Sequence, residues 1–224
     1  MLAAQGSSPA AEEALEKLCR AYWRPIYSFV RGEGRGIEDA QDLTQSFFAL
    51  LLVRRDFDAV RREKGRLRSY LLVSLKHFLA NERQRAMSVK RGEGRPLVPL
   101  EELVAREHHD PEPADILTPD RIYERRWALT VLERVLARLG EEYRSAGNTD
   151  LFNRFKELLA NEAAAISQAK IASELGMTEN AVKQAYHRFR QRYRELLREE
   201  IAHTVAVPGD IEAELRHLIA VLRT

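Results

Sequence analysis

A chain of 224 residues, 45% of them hydrophobic, can bury one large core or two small ones in domains of roughly 80 to 100 residues each, which excludes disorder throughout. Charged residues make up 31% of it while the formal net charge is only +2, so any nucleic-acid contact has to come from local segregation of charge. Its one cysteine, Cys19, excludes an internal disulfide, and no second cysteine stands at metal-ligand spacing near a histidine, so neither metal nor cofactor is expected.

Strand signals are nearly absent and the 3.6-residue period recurs in segment after segment, which predicts an all-α fold. Residues 1–10 are expected to be disordered. They carry no basic leader, and no apolar run approaches a membrane span, so a cytoplasmic protein without membrane insertion is expected. The first domain, 11–96, should hold three helices. One runs from Ala11 to Val30, broken only by Pro25, and ends in a turn rich in glycine at Gly32, Gly34 and Gly36. A second spans Ile37 to Val53, with Ile37, Ala40, Leu43, Phe47 and Leu51 on its buried stripe. The third, Leu67 to about Met87, turns Leu67, Leu71, Leu75 and Phe78 inward.

From Arg54 to Arg95 the sequence carries 13 Lys and Arg against 5 Asp and Glu, and from Leu97 to Asp120 only 1 Arg against 7 acids. The acidic stretch also contains Pro99, Pro111 and Pro113, so 97–118 is expected to be a linker between the two small helical domains. Thr118 followed by Pro119 is a helix start: the threonine caps, and the proline has no amide hydrogen to leave unpaired. The second domain, 119–203, then takes a helix from Pro119 to about Tyr143, stopped by Gly147 and Asn148. Helices over Leu151–Leu159, Gln168–Leu175 and Glu179 to about Glu200 follow. An amphipathic extension, 204–224, places Ile211, Leu215, Leu218, Ile219 and Leu222 on one face.

The segment QAKIASELGMTENAVKQAYHRFR has the spacing of a helix-turn-helix. Ala172 is small where two helices must approach, Gly176 supplies the permissive turn, and Val182 follows six residues on. Ile171, Leu175 and Met177 pack around the turn, and Thr178 is the N-cap of the second helix. Val182, Ala185, Tyr186 and Phe189 fall on its inner side. Glu179, Asn180, Lys183, Gln184, His187, Arg188 and Arg190 are left outside. A recognition helix offers its first turns to base edges and later cations to phosphates. Asn180, Lys183 and Gln184 are therefore the expected base readers, and Arg188, Arg190 and Arg192 the backbone contacts. A solvated helix face is the competing explanation of the arginines.

IASELGMTENAVKQAYHRFRQRYREL resembles the promoter-reading C-terminal domain of bacterial sigma factors of the extracytoplasmic-function type. DAQDLTQSFFALLL, Asp39 to Leu52, resembles their polymerase-docking helix. The resemblance implies a subunit that carries core RNA polymerase to promoter DNA. Asp39, Asp42 and Gln45 would dock on a basic coiled coil of the polymerase. Thr178, Glu179, Asn180, Lys183, Gln184, His187, Arg188 and Arg190 would meet the minus-35 duplex. The stretch GRLRSYLLVSLKHFLANERQRAMSVKRG matches the family's minus-10 helix, so that Arg66, Arg68, Tyr70, Lys76, His77, Asn81, Arg83 and Arg85 would hold the unpaired strand.

The departures matter as well. His77 and Asn81 stand where the family more often has Asn and Asp, and for Tyr70 burial as a core aromatic competes with base contact. Gln41 and Ser46 replace usual acids of the docking helix, and Thr44 lies beside them. Phosphorylation of Thr44 would add about −1.5 to −2 charge units, so a Ser/Thr kinase joins an anti-sigma factor among the implied partners. The 204–224 extension either completes the second core or covers the DNA-binding face.

An enzyme is not expected. Glu33, Glu38 and Asp39 sit at a turn and a helix start, His108, His109 and Asp110 fall in the linker, and no nucleophile elbow, phosphate loop or HExxH accompanies them. Two other functions compete: a helix-turn-helix regulator acting without polymerase, and a sigma-like interaction module that has lost promoter activity.

Overall fold

The computed structural model describes residues 9–54, 66–92, 117–160 and 168–223. Among these the fold is all-α, with no strand and no helix long and apolar enough to cross a membrane. The helices are α1 (Pro9–Gly32), α2 (Ile37–Arg54), α3 (Leu67–Gly92), α4 (Pro119–Ser145), α5 (Thr149–Ala160), α6 (Gln168–Leu175), α7 (Glu179–Ala202) and α8 (Ile211–Arg223), the last preceded by a 3₁₀ turn, Pro208–Asp210. The chain divides into two compact units, Met1–Trp127 and Ala128–Thr224. The expected linker lies outside the described residues except at its end, Leu117 and Thr118. The expected disordered segment is outside them too, apart from Pro9 and Ala10, which open α1.

In the first unit α1 buries Tyr22, Ile26, Phe29 and Val30, against Ala40, Phe47, Phe48 and Leu51 of α2 and Leu67, Leu71, Leu75, Phe78 and Leu79 of α3. Pro25 does not break α1. A proline inside a helix forfeits one backbone hydrogen bond and costs about 3 kcal/mol, and the buried side chains on either side of it offset that cost. The turn after α1 closes through Gly34 at φ +80°, where the Gly34 amide donates to the Arg31 carbonyl at 3.0 Å. Ile37, which the period places inward, is 60% exposed at the first position of its helix.

The first turns of α4 belong to this unit. Thr118 caps them, its hydroxyl accepting from the Arg121 amide at 3.3 Å. Tyr123 and Trp127 are buried, Tyr123 stands edge-on to Phe29 with ring centroids 6.5 Å apart, and its hydroxyl donates to the Arg68 carbonyl at 2.9 Å. A Cβ on Gly32 would come 3.0 Å from Ile122 Cδ1 and 3.3 Å from Pro119 Cα, so a larger residue there would push these neighbours back by a few tenths of an ångström.

In the second unit Val135 and Leu139 of α4, Phe155 of α5, Ile171 and Ala172 of α6, and Val182, Ala185, Tyr186, Phe189 and Leu196 of α7 form one core. Its centre is aromatic: Phe189 lies within 5.4–6.1 Å, centroid to centroid, of Phe155, Tyr143, Phe152 and Tyr186. Gly147 at φ +71° ends α4, and the Asn148 amide returns to the Tyr143 carbonyl at 2.8 Å, the stop read from the sequence. On α8 only Leu218 of the expected stripe is fully buried, together with Glu214. Ile219 is 48% exposed, because the helix seats one narrow edge and not a broad face.

Candidate nucleic-acid interface

The turn between α6 and α7 is built as its residues require. Gly176 adopts φ +64°, and the Met177 amide reaches back across it to the Ala172 carbonyl at 2.9 Å. Thr178 is extended, and its hydroxyl accepts from the Ala181 amide at 3.2 Å, which satisfies a first-turn donor of α7. Thr178 is thereby the N-cap of α7. Ala172, Val182, Ala185, Tyr186 and Phe189 are buried, which locks the rotation of α7 about its axis.

That rotation turns Glu179, Asn180, Lys183, Gln184, His187 and Arg188 to solvent. With Gln168 of α6, the last five of them line an open concavity of about 690 Å³. Lys183 and Arg188 form no ion pair with a described residue. Arg190 is half-buried, with its guanidinium 5.9 Å from the centroid of the Tyr186 ring, yet it still lines the concavity. Arg194 lines it too and is absent from the sequence-derived set. Its signal was available, since it lies one heptad after His187 on the same face.

Arg192 requires a correction. It does not line this concavity, and it binds Glu142 of α4 with two hydrogen bonds, 2.9 Å from Nε and 2.7 Å from Nη2, and Glu195 at 3.2 Å. Glu199 stands 3.5 Å away. The hydrogen bond from Arg192 holds the Glu142 carboxyl below its ordinary range, and Glu142 in turn raises the arginine. Arg192 staples α7 to α4 and is no phosphate contact in this conformation.

The cations expected to hold a single strand are arranged differently. Arg68 is 4% exposed, 2.5 Å from Glu124 of α4, and packed over the Trp127 ring at 5.1 Å. It is a core residue of the first unit, not a strand contact, because a buried guanidinium is tolerated only where it is paired. Lys76 meets Asp120 at 2.5 Å, Arg83 is paired with Glu33, and Arg85 meets Glu82 at 2.7 Å. His77 and Asn81 are exposed, one turn apart on α3, while Arg66 and Tyr70 are half-buried.

On α2, Asp39, Asp42 and Gln45 are all exposed at spacings of three, so they share a face. Neither acid forms an ion pair with a described residue. Gln41 and Ser46 flank them in solvent. Thr44 does not share that face: it is fully buried, and its hydroxyl donates to the Ala40 carbonyl at 2.6 Å. The threonine expected as a phosphorylation site thus presents no oxygen to a kinase in this fold.

No protein-family model matches the chain, and neither the curated proteins nor the solved structures contain one detectably similar to it.

Proposed function

We propose that the chain is a sigma factor of the extracytoplasmic-function type, a non-enzymatic subunit that directs core RNA polymerase to promoters. The observation that carries the proposal is the face of α7. A capped helix, locked by its buried side, holds Asn180, Lys183, Gln184, His187 and Arg188 together in solvent with no described acid neutralising Lys183 or Arg188. A helix of this kind fits the major groove, with its early polar residues at base edges and its later cations at phosphates.

The sequence likeness of α2 and α3 supplies the rest of the reading. Asp39, Asp42 and Gln45 dock on a basic element of the polymerase, where sign complementarity speeds encounter and sets register. Exposed His77, Asn81 and Arg85, with Lys76 and Arg83, hold the melted strand. A good bidentate base contact discriminates by about 1–3 kcal/mol, and phosphate contacts add affinity that falls with salt.

Run-off transcription from a pool of promoter fragments, with purified core polymerase and this chain, tests the proposal. Promoter-dependent transcripts that require the chain are expected. Duplex binding without core and no transcripts would instead establish a regulator that acts alone, and neither activity would leave an interaction module.

A further inference from the structure

Two surfaces assigned to nucleic acid are in opposite electrostatic states. On α7, Lys183 and Arg188 have no acidic partner among the described residues. On α3, Lys76 and Arg83 each face a carboxylate brought from far along the chain, Asp120 of the first turn of α4 and Glu33 of the turn after α1. We infer that the chain blocks its own strand-binding surface: Asp120 and Glu33 occupy the cations that a bared strand needs, and binding of the strand has to displace them.

This inference rests on the reading of α3 as the strand-binding helix. The geometry gives the block its place. The first turns of α4 are anchored on α3 by the buried Arg68–Glu124 pair, by the Tyr123 hydroxyl on the Arg68 carbonyl, and by Tyr123 and Trp127 in the core. Asp120 is carried on that anchored turn and held beside Lys76, so its carboxylate acts at high local concentration. Glu33 is held likewise by the turn whose Glu33 amide donates to the Phe29 carbonyl at 3.1 Å. Both ion pairs stay accessible: the side chains of Lys76 and Asp120 are 47% and 46% exposed, and those of Arg83 and Glu33 49% and 24%. A phosphate can therefore compete for each cation without unfolding the core.

Competition has a signature in salt. A cation that exchanges a carboxylate for a phosphate returns a counterion to the carboxylate, so its net ion release is small. A cation with no carboxylate releases ions in full, about 0.7 in the slope of log K against log salt for a single strand. Exposed pairs hold about 0.2–1 kcal/mol each, so removing both carboxylates should tighten strand binding by about twofold to thirtyfold.

The test is fluorescence anisotropy of a dye-labelled, mixed-sequence DNA strand with the full chain, over a series of salt concentrations. It compares wild type, Asp120→Asn, Glu33→Gln, the double variant, and Lys76→Ala/Arg83→Ala. Thermal melting of each confirms folding, and the single variants serve if the double one melts early. The expected result is tighter binding and a steeper salt slope for the carboxylate variants, and weaker binding for the cation variant. If the cation variant weakens binding while the carboxylate variants match wild type in affinity and slope, the self-block is overturned and the strand surface stands. If wild type and carboxylate variants bind no strand, or the cation variant binds as wild type does, the strand surface itself is wrong.

Discussion

Replacing Lys183 and Arg192 separately by alanine tests the division of α7 into a recognition face and a structural face. Lys183 is exposed and unpaired among the described residues, so its removal should change stability by less than about 0.5 kcal/mol. Its loss should appear in promoter choice: a base contact of about 1–3 kcal/mol is a factor of roughly five to 150 on favoured sites, and little on the rest. Arg192 should behave in the opposite way. It has two hydrogen bonds to Glu142 and one to Glu195, with Glu199 at 3.5 Å. Exposed pairs are worth about 0.2–1 kcal/mol each, and the two-pronged geometry places the sum on the order of 1–2 kcal/mol. In a unit of about 100 residues each kcal/mol moves Tm by about 4–8 °C. Arg192→Ala should therefore melt some 4–16 °C earlier, by the same scaling, and keep its promoter ranking. Scanning calorimetry and sequencing of promoter fragments bound by the reconstituted holoenzyme measure the two quantities. An Arg192→Ala chain that melts like wild type but loses all promoters equally would return Arg192 to the phosphate backbone and refute the assignment.

Other perturbations follow from the same contacts. Gly176→Ala should cost about 1–2 kcal/mol through backbone conformation alone, since a Cβ there has open space but φ is +64°; Gly176→Asn should lose less, and thermal melting ranks them. Thr44→Glu should destabilise the first unit, on the order of 3 kcal/mol or more, because the site is fully buried; a variant that melts normally and binds core polymerase more tightly would restore the phosphorylation idea. Leu218→Ala should cost about 2–5 kcal/mol, and removal of 204–224 should lower stability without raising duplex affinity, because the α7 face is exposed with α8 in place; a rise in affinity on truncation would make α8 a latch. Glu142→Gln should be less stable than wild type at neutral pH, by about 0.2–1 kcal/mol. The folded Glu142 carboxyl is depressed by Arg192, so its contribution is complete above the unfolded value of about 4.3 and disappears as pH falls through the lower folded value. Melting curves of the two proteins should accordingly converge in acid.

The class of fold, the helix ends at Thr118, Gly147 and Thr178, and the buried side of α7 were all legible because each depends on residues within one or two turns. Caps, left-handed glycines and a 3.6-residue stripe are local, and a sequence displays them directly. What could not be read was which partner each charged side chain takes. Arg68, Lys76, Arg83 and Arg192 all sit on faces that the period leaves ambiguous or outward, and each is claimed by an acid about fifty residues away in the chain. Charge counts along the sequence made 54–95 look like an open basic surface, whereas folding delivers Glu33, Asp120 and Glu124 onto it from outside that window. Thr44 failed for a related reason: its neighbours Asp42, Gln45 and Ser46 are exposed, but a helix turns about 100° per residue, and Ala40, Thr44, Phe47 and Leu51 form the opposite, buried line. Lys183 and Arg188 face solvent as expected because the tight turn at Gly176 and the four inward apolar residues after it set the outward face from within the motif.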